Sequence, residues 1–349
     1  MPNLGSKTRA ITLIALCGAV AAVAVGAASA GSKRSAGTTI TGAGSTFVQP
    51  LVSQWISPLG SAYGYELQYS GVGSGAGVAA ITARTVDFGA SDAPLTSDQF
   101  NACNGCIQIP WALGATAIMY NLPGAPNLLK MDGPTLANIF MGKITTWSDP
   151  AIAKLNPGVN LPSTKIAIAH RSDNSGTTFN FTDYLSSVSP AWKSQIGSGV
   201  AVNWPTGSGG KGSSGVAAIV SGTPGAIGYA DIAYAIHNHL SYFRMKNNSG
   251  KYTTPGLRGI LSAAQSDQKP NADGSLSIVN PPKKFPNAYP ISTFTYVIVP
   301  QQTSKAPDLK KFLFWAVTKG QTYGPKLFFA PLPKTVLVEA EKSIAKIHS

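Results

Sequence analysis

One short pattern occurs three times in this chain and restricts the folds open to it. A stretch typical of a strand ends in small residues, and a stretch with helical periodicity follows at once. The small residues occupy positions 44–46 (GST), 73–75 (GSG) and 175–177 (SGT). Strands joined to helices by short turns are typical of α/β proteins with parallel strands. We therefore expect an α/β fold.

Each of these turns presents backbone N–H groups and a hydroxyl at the start of a helix. A helix N-terminus carries partial positive charge, so such a turn favours an anion. One such turn alone is most often an ordinary helix cap. Three of them, the last just after Arg171 in RSDNSGTTFNF, indicate a shared oxyanion site, because the arginine fork matches paired anion oxygens.

Two aspartates lie close to these turns in the sequence. Asp173 follows Arg171 by two residues and either orients the guanidinium or caps a helix. Asp92, in GASDAPL, either caps a turn or accepts a hydrogen bond from a ligand that carries a proton. Phosphate keeps a proton at neutral pH and sulfate keeps none. A site that requires such a bond rejects analogues lacking it by about 10⁴ to 10⁵.

The N-terminus has the pattern of an export signal. Lys7 and Arg9 precede an uncharged apolar run, and residues 28–30 (ASA) fit a cleavage site, so we expect a mature chain that begins at Gly31. A membrane anchor is the alternative, although residues 11–25 are short for a bilayer. Lipid attachment at Cys17 is a second alternative, but Leu16 before it is larger than usual.

The charge of the chain is strongly positive but dispersed. The formal net charge is +13, and loss of Lys7 and Arg9 with the signal leaves +11. No basic stripe interleaved with aromatic residues is present, so nucleic-acid binding is not expected. Attraction to an acidic cell envelope or steering of anions suits this charge better.

Two cysteines remain after the signal, Cys103 and Cys106 in NACNGCIQI. A local disulfide is the expected state in an exported protein. A redox dithiol and half of a zinc site are the alternatives. No second cysteine pair exists, and the four histidines are far away in sequence. We therefore expect neither a metal nor a cofactor.

Several longer motifs resemble the exported, PstS-like phosphate-binding proteins of bacterial high-affinity phosphate ABC transporters. The resemblance runs from about Thr39 to the C-terminus. The motifs that carry it are TGAGSTFVQPL, GVGSGAGVAAI, TVDFGASDAPL, LANIFMGKITTW, RSDNSGTTFNF, NWPTGSGGKGSSGVAAIV, PGAIGYADIAYA and YPISTFTYVIV.

The resemblance implies a two-lobed periplasmic-binding-protein fold (type II), in which each lobe is a mixed sheet flanked by helices and the ligand lies in the interlobe cleft. Lobe 1 would be discontinuous, with residues 31–114 and 291–349, and lobe 2 would take residues 115–290. It further implies a monomer without catalytic activity, partnered by the permease and ATPase subunits of a transporter.

The resemblance also implies a set of phosphate contacts. They fall on Thr46, Phe47 (through its backbone N–H), Ser74, Asp92, Arg171, Ser175, Gly176 and Thr177. Asp92 would accept the phosphate proton and exclude sulfate, and Asp173 would orient Arg171.

Other classes of protein fit the sequence less well. GVGSGA at residues 71–76 departs from a dinucleotide fingerprint at its last position. TGSGGKGSS fails as a P-loop because Pro205 replaces a glycine and Gly212 a Ser or Thr; we interpret it as a structural loop. A serine hydrolase would need glycine at Val72. A secreted relative that acts as an adhesin or as an inhibitor of a surface protein stays open.

Overall fold

Strands and helices alternate along residues 38–349, the part of the chain that the computed structural model describes. The expected signal segment and Cys17 lie outside these residues. The strands are β1 (Thr39–Gly44), β2 (Glu66–Gly71), β3 (Phe88–Ser91), β4 (Cys106–Asn121), β5 (Lys130–Met131), β6 (Ala167–Arg171), β7 (Ser208–Gly210), β8 (Ala226–Asp231), β9 (Ser241–Tyr242), β10 (Arg244–Lys246), β11 (Tyr252–Thr253) and β12 (Ser292–Pro300).

The helices lie between these strands and after the last one. They are α1 (Gln49–Tyr63), α2 (Ser74–Thr82), α3 (Ser97–Cys103), α4 (Gly133–Phe140), α5 (Pro150–Leu155), α6 (Gly176–Val188), α7 (Pro190–Gln195), α8 (Gly212–Gly222), α9 (Ile232–His237), α10 (Leu257–Ala264), α11 (Ala306–Val317) and α12 (Lys334–Ala345), with 3₁₀ turns at Lys319–Tyr323 and Pro325–Leu327. None of the helices in this part of the chain is long and apolar enough to cross a bilayer.

Most strands join one mixed sheet in the order β2-β1-β3-β12-β4-β8-β6-β7, with β9 on β4. Two groups of parallel strands, β2-β1-β3 and β8-β6-β7, lie at its ends. The antiparallel strands β12 and β4 lie between them. A second, small sheet has the order β11-β10-β5. The predicted mixed α/β fold is confirmed.

β4 is a strand of 16 residues that the sequence did not predict. Residues 106–115 pair with β12, and residues 116–121 pair with β8. Proline is rare inside a central strand because it has no N–H to donate. Here Pro110 is accommodated by a bulge, since the register with β12 shifts between Thr295 and Tyr296.

Four tryptophans anchor the buried core, and each is fully buried. A buried indole N–H needs an acceptor, and each of these has one. The donor and acceptor pairs are Trp55 with the Gly320 carbonyl (2.8 Å), Trp111 with Thr295 Oγ1 (2.9 Å), Trp147 with the Gly225 carbonyl (2.9 Å) and Trp192 with the Gly197 carbonyl (2.8 Å). The bonds of Trp55, Trp111 and Trp147 join segments distant in sequence, whereas that of Trp192 is local.

Two local predictions are confirmed and one is wrong. Apolar residues that recur every four positions from Phe47 to Leu59 predict a buried helix stripe. That stripe is buried in α1 at Leu51, Trp55 and Leu59, although Ile56 is 43% exposed. Cys103 and Cys106 form the expected local disulfide. The sequence also predicts a single strand after the TPG turn at residues 223–225. This is wrong, because Asp231 ends β8 and caps α9 by accepting a hydrogen bond from the Ala233 N–H at 2.9 Å.

Candidate anion-binding site

The predicted site residues gather at the carboxyl ends of strands from both parallel groups. Ser45 and Thr46 follow β1, Ser74 follows β2, and Asp92 follows β3. Arg171 ends β6 in the other group. Ligands of α/β proteins bind outside the carboxyl ends of parallel strands, where helix N-termini also point.

Glycines let the turns approach one another closely. Gly44 has φ +145°, and a β-carbon there would collide with the Ala90 carbonyl. A β-carbon at Gly176 would lie 2.6 Å from the Asp92 nitrogen. The start of α6 therefore rests directly on the turn after β3. Ser175 caps that helix by accepting a hydrogen bond from the Thr178 N–H at 3.2 Å.

Asp92 lies at the centre of the hydrogen-bond network and is 1% exposed. Its carboxylate accepts hydrogen bonds from Ser45 Oγ at 2.5 Å and from Thr177 Oγ1 at 3.2 Å. Burial raises the pKa of Asp92 to about 6, although the hydroxyl donors and the Arg171 charge oppose the rise. The group is therefore a carboxylate at neutral pH that gains a proton in mild acid.

Ser74 joins the two groups of strands. Its Oγ accepts a hydrogen bond from the Gly176 N–H at 3.0 Å and a longer one from the Asp92 N–H at 3.4 Å. The neighbouring Gly75 N–H donates to the Asn174 carbonyl at 2.9 Å. The turn after β2 is thus bonded to the loop that precedes α6.

Arg171 is held by Asp173 in a two-point ion pair. Its Nε and Nη2 donate to the two carboxylate oxygens at 2.7 and 2.5 Å, and its side chain is 1% exposed. Burial alone would raise the pKa of Asp173, but the bonds and charge of Arg171 and the Gly212 N–H outweigh burial and lower that pKa. The remaining Nη1 lies 3.5 Å from Thr177 Oγ1, on the side of Asp92.

Thr46 bonds to the start of α8. Its Oγ1 lies 2.9 Å from Ser213 Oγ and accepts a hydrogen bond from the Ser213 N–H at 3.1 Å. The Phe47 N–H points to Ser45 Oγ at 3.0 Å, while the Phe47 ring is fully buried against Phe329. The Thr46 N–H has no acceptor among residues 38–349.

The structure brings the eight predicted contact residues and Asp173 into one connected network. Ser45 joins it from the predicted turn at residues 44–46. The structure also adds residues that the sequence did not single out, namely Ser213, Tyr69, Tyr229 and Tyr234. Ser213 carried a usable signal, because it follows β7 in a fourth strand, small-residue turn and helix. The segment TGSGGKGSS thus lies next to the site.

The tyrosines gave no such signal, because their role depends on packing between distant segments. Tyr229 shows this: its hydroxyl accepts a hydrogen bond from the Arg171 N–H at 3.2 Å and lies 2.7 Å from Thr178 Oγ1. It therefore supports both β6 and the first turn of α6 from behind.

Among residues 38–349 no histidine bonds to a side chain of this network, although His170 Nδ1 lies 3.0 Å from the Arg171 carbonyl. His170 stacks on Trp204, with ring centroids 4.8 Å apart. His237 and His239 are exposed. Within residues 38–349 no three His, Cys, Asp or Glu side chains are grouped as a metal site would need.

The fold and the site together define a substrate-binding protein of the periplasmic-binding-protein class. The family model described as "PBP superfamily domain" matches residues 28–319. Among solved structures, a phosphate-binding protein from Stenotrophomonas maltophilia superposes with a TM-score of 0.68 at 19% identity, over 87% of this chain and 93% of that one. At that identity the likeness concerns the fold.

Sequence relatives are more specific. The phosphate-binding protein PstS of Xylella fastidiosa is 42% identical over 307 residues, which cover 86% of this chain and 84% of that protein. PstS of Pasteurella multocida is 40% identical over 304 residues, covering 86% and 88%. The chain belongs to the PstS family of phosphate-binding proteins. The resemblance seen in the sequence is confirmed.

Proposed function

We propose that this protein binds inorganic phosphate at the network around Asp92 and delivers it to a phosphate ABC transporter, without catalysing a reaction. One observation carries the proposal. A buried carboxyl, Asp92, lies among hydroxyl and amide donors and beside the fixed guanidinium of Arg171. Family membership supports the same conclusion, because the curated relatives are phosphate-binding proteins.

The charges around the site favour a ligand that brings its own proton. Asp173 neutralises Arg171, so an ionised Asp92 leaves the immediate surroundings with an excess negative charge. An anion without a proton would be repelled by Asp92, because its oxygen lone pairs would face those of the carboxylate. A phosphate P–OH group instead donates to the carboxylate, and its other oxygens accept from the donors. Asp92 is thus the proton acceptor and the group that excludes sulfate.

The ligand contacts in this proposal are the ones that the resemblance implies: Thr46, the Phe47 N–H, Ser74, Asp92, Arg171, Ser175, Gly176 and Thr177. The fixed orientation of Arg171 by Asp173 supports this assignment, because a guanidinium with two nitrogens occupied offers the third to a ligand. The Thr46 N–H supports it as well, because it has no acceptor in the described part of the chain, residues 38–349.

Two lobes, residues 31–114 with 291–349 and residues 115–290, would close around the phosphate. The pairing of β4 supports a boundary near residue 115, since its partner changes from β12 to β8 between Ala115 and Thr116. The site bonds run between residues 45–92 and residues 171–213. In these three bonds residues 176–213 supply the donors and residues 46–92 supply the acceptors, so both proposed lobes contribute to the site.

Export and partners complete the proposal. The pattern of residues 1–30 supports secretion to the periplasm or the outer face of the cell envelope, with Gly31 first in the mature chain. The permease and ATPase subunits of a phosphate ABC transporter would be its partners, and the protein would act as a monomer. Mass spectrometry of the secreted protein checks the cleavage site, because a lipid on Cys17 would contradict it.

Equilibrium dialysis of phosphate-free residues 31–349 with labelled phosphate tests the function. We expect tight binding that a large excess of sulfate does not displace. Displacement by sulfate would retain an oxyanion site and remove the role of Asp92. Absence of binding would overturn the proposal, and capture of a surface protein under phosphate-free conditions would then favour the adhesin or inhibitor alternative.

A further inference from the structure

Two tyrosine hydroxyls hold the turn after β1 from behind. Tyr69 OH donates to the Ser45 carbonyl at 2.8 Å, and Tyr234 OH donates to the Thr46 carbonyl at 2.7 Å. The two acceptors are successive carbonyls of the chain. Within residues 38–349, no other turn residue of the network has a carbonyl that accepts a hydrogen bond from a tyrosine hydroxyl.

These bonds determine where the amide hydrogens point. In a planar trans peptide the C=O and the N–H point in opposite directions. A donor on the Ser45 carbonyl therefore directs the Thr46 N–H away from Tyr69, and a donor on the Thr46 carbonyl directs the Phe47 N–H away from Tyr234. A carbonyl that accepts a hydrogen bond also polarises the N–H of the same peptide.

The two tyrosines reach this turn from different parts of the chain. Tyr69 belongs to β2, which pairs with β1 along its whole length, so Tyr69 and the turn lie on neighbouring strands. Tyr234 belongs to α9, in the proposed second lobe. Its bond to Thr46 therefore joins the two halves of the site, as do the bonds of Ser213 to Thr46.

The surroundings of Tyr234 keep its hydroxyl oriented and protonated as a hydrogen-bond donor. Asp231 caps α9 and so sets the direction of the helix that carries Tyr234. Burial, followed by the nearby Asp231 charge, raises the pKa of Tyr234, so the hydroxyl keeps its proton throughout the physiological range. The Thr46 carbonyl is its only hydrogen-bond partner among the described residues.

We propose that Tyr234 is a latch: a positioning residue whose hydroxyl fixes the Thr46–Phe47 peptide at the anion site only when the two lobes are together, and which slows their separation. The proposal rests on the phosphate-binding function proposed above. Tyr69 supports the neighbouring peptide whether or not the lobes are together, so it provides the matched comparison.

The test measures phosphate association and dissociation rates for the unaltered protein and for Tyr234→Phe and Tyr69→Phe. Loss of one buried hydrogen bond of this kind amounts to roughly tenfold in an equilibrium constant. For Tyr234→Phe we expect dissociation to be about tenfold faster with an association rate within twofold of the original. For Tyr69→Phe we expect a clearly smaller increase in the dissociation rate. Circular dichroism confirms that each variant is folded.

Three results would overturn the latch. One is an unchanged dissociation rate in Tyr234→Phe. Another is an equal increase in both variants, because Tyr234 would then only support a peptide. The third is a loss expressed entirely in the association rate. Failure of the unaltered protein to bind phosphate is a different result, since it would remove the proposed function itself.

Discussion

At the scale of single residues, the site places a carboxyl where burial and hydrogen bonding oppose each other. Asp92 is desolvated, which raises its pKa to about 6, yet Ser45 and Thr177 donate to it and favour its ionised form. Such a group is a hydrogen-bond acceptor above pH 6 and a donor below it. Both ligand choice and stability should therefore depend on its proton.

Replacement of the acceptor should change ligand choice. In Asp92→Asn the side chain offers an N–H₂ group that can donate to sulfate, so we expect sulfate to compete and phosphate affinity to fall by about tenfold or more. In the unaltered protein, sulfate should begin to compete as the pH falls below about 6. Calorimetric titrations at pH 5 and pH 8 measure both effects. Asp98→Asn, in the first turn of α3, is the control and should retain both properties.

The same carboxyl should make the phosphate-free protein less stable as the pH rises. The pKa of Asp92 in the folded protein, about 6, lies above its ordinary value of 3.8. Its contribution is therefore fully present below pH 3.8 and is lost as the pH rises through 6. The difference corresponds to about 3 kcal/mol.

Asp92→Asn should restore part of the folding stability that the protein loses at high pH, because asparagine carries no charge to bury. We expect a larger free energy of unfolding than in the unaltered protein at pH 8, and a smaller gain at pH 5, where Asp92 is already largely protonated. The lost bonds from Ser45 and Thr177 reduce the gain. Urea denaturation of phosphate-free protein at both pH values checks this, and a gain that is equal at the two values would contradict it.

At the scale of elements, the residues that the sequence placed correctly are those with their own local pattern. β1, β2 and α1 carry clear periodicity, and each turn between strand and helix carries small residues. The sequence alone could not indicate that Ser45, Ser74 and Thr177 converge on Asp92, because that depends on strand order. The resemblance supplied most of the site, and Ser213 and the tyrosines required the structure.

The elements that were missed lack a local signal. β4 is buried on both sides along nearly all its length, so it shows no alternation of polar and apolar residues, and Pro110 interrupts its pattern. α9 is only six residues long and continues the apolar run of β8. Its start depends on Asp231, whose capping bond is visible only in three dimensions.

Alanine substitutions at two glycines of α2 should have different effects, one on phosphate affinity and the other on the stability of the fold. A β-carbon at Gly75 would collide with the side chain of Asn174, across the network. Because Gly75 is helical and alanine favours helices by up to about 1 kcal/mol, Gly75→Ala should leave the phosphate-free protein as stable or more so. Its phosphate affinity should fall at least tenfold.

Gly77 is the matched comparison on the same helix. A β-carbon there would collide with Gly44 and lie 2.6 Å from the Ala43 carbonyl, both in β1. Gly77→Ala should therefore destabilise the fold itself by about 1–3 kcal/mol. Thermal denaturation without phosphate, combined with calorimetric titration, distinguishes the two variants. Equal loss of stability in both would contradict the assignment of Gly75 to the lobe contact.

At the scale of the whole molecule, the network is assembled from segments far apart in the chain. Ser45 and Asp92 belong to one proposed lobe, and Arg171, Thr177 and Ser213 belong to the other. Bonds between them are present only when the lobes are together. A ligand that bonds to both sets adds a differential affinity for the closed arrangement, which is the requirement for ligand-driven closure.

Closure is measurable in solution. We expect the radius of gyration of residues 31–349, from small-angle X-ray scattering, to decrease when phosphate is added to stripped protein. Added sulfate at the same concentration is the control and should leave the scattering curve unchanged at pH 8. Identical curves with and without phosphate would argue against lobe movement.

The position of β12 has a consequence for how the chain is made. This strand, residues 292–300, lies between β3 and β4 in the sheet. A nascent polypeptide that has reached residue 291 therefore lacks the central strand, and the edges of β3 and β4 stay unpaired. The sheet can close only after six-sevenths of the chain has been synthesised. Contacts this distant in sequence form slowly. A polypeptide that folds late stays unfolded for longer, and only an unfolded polypeptide can pass through a narrow secretion channel.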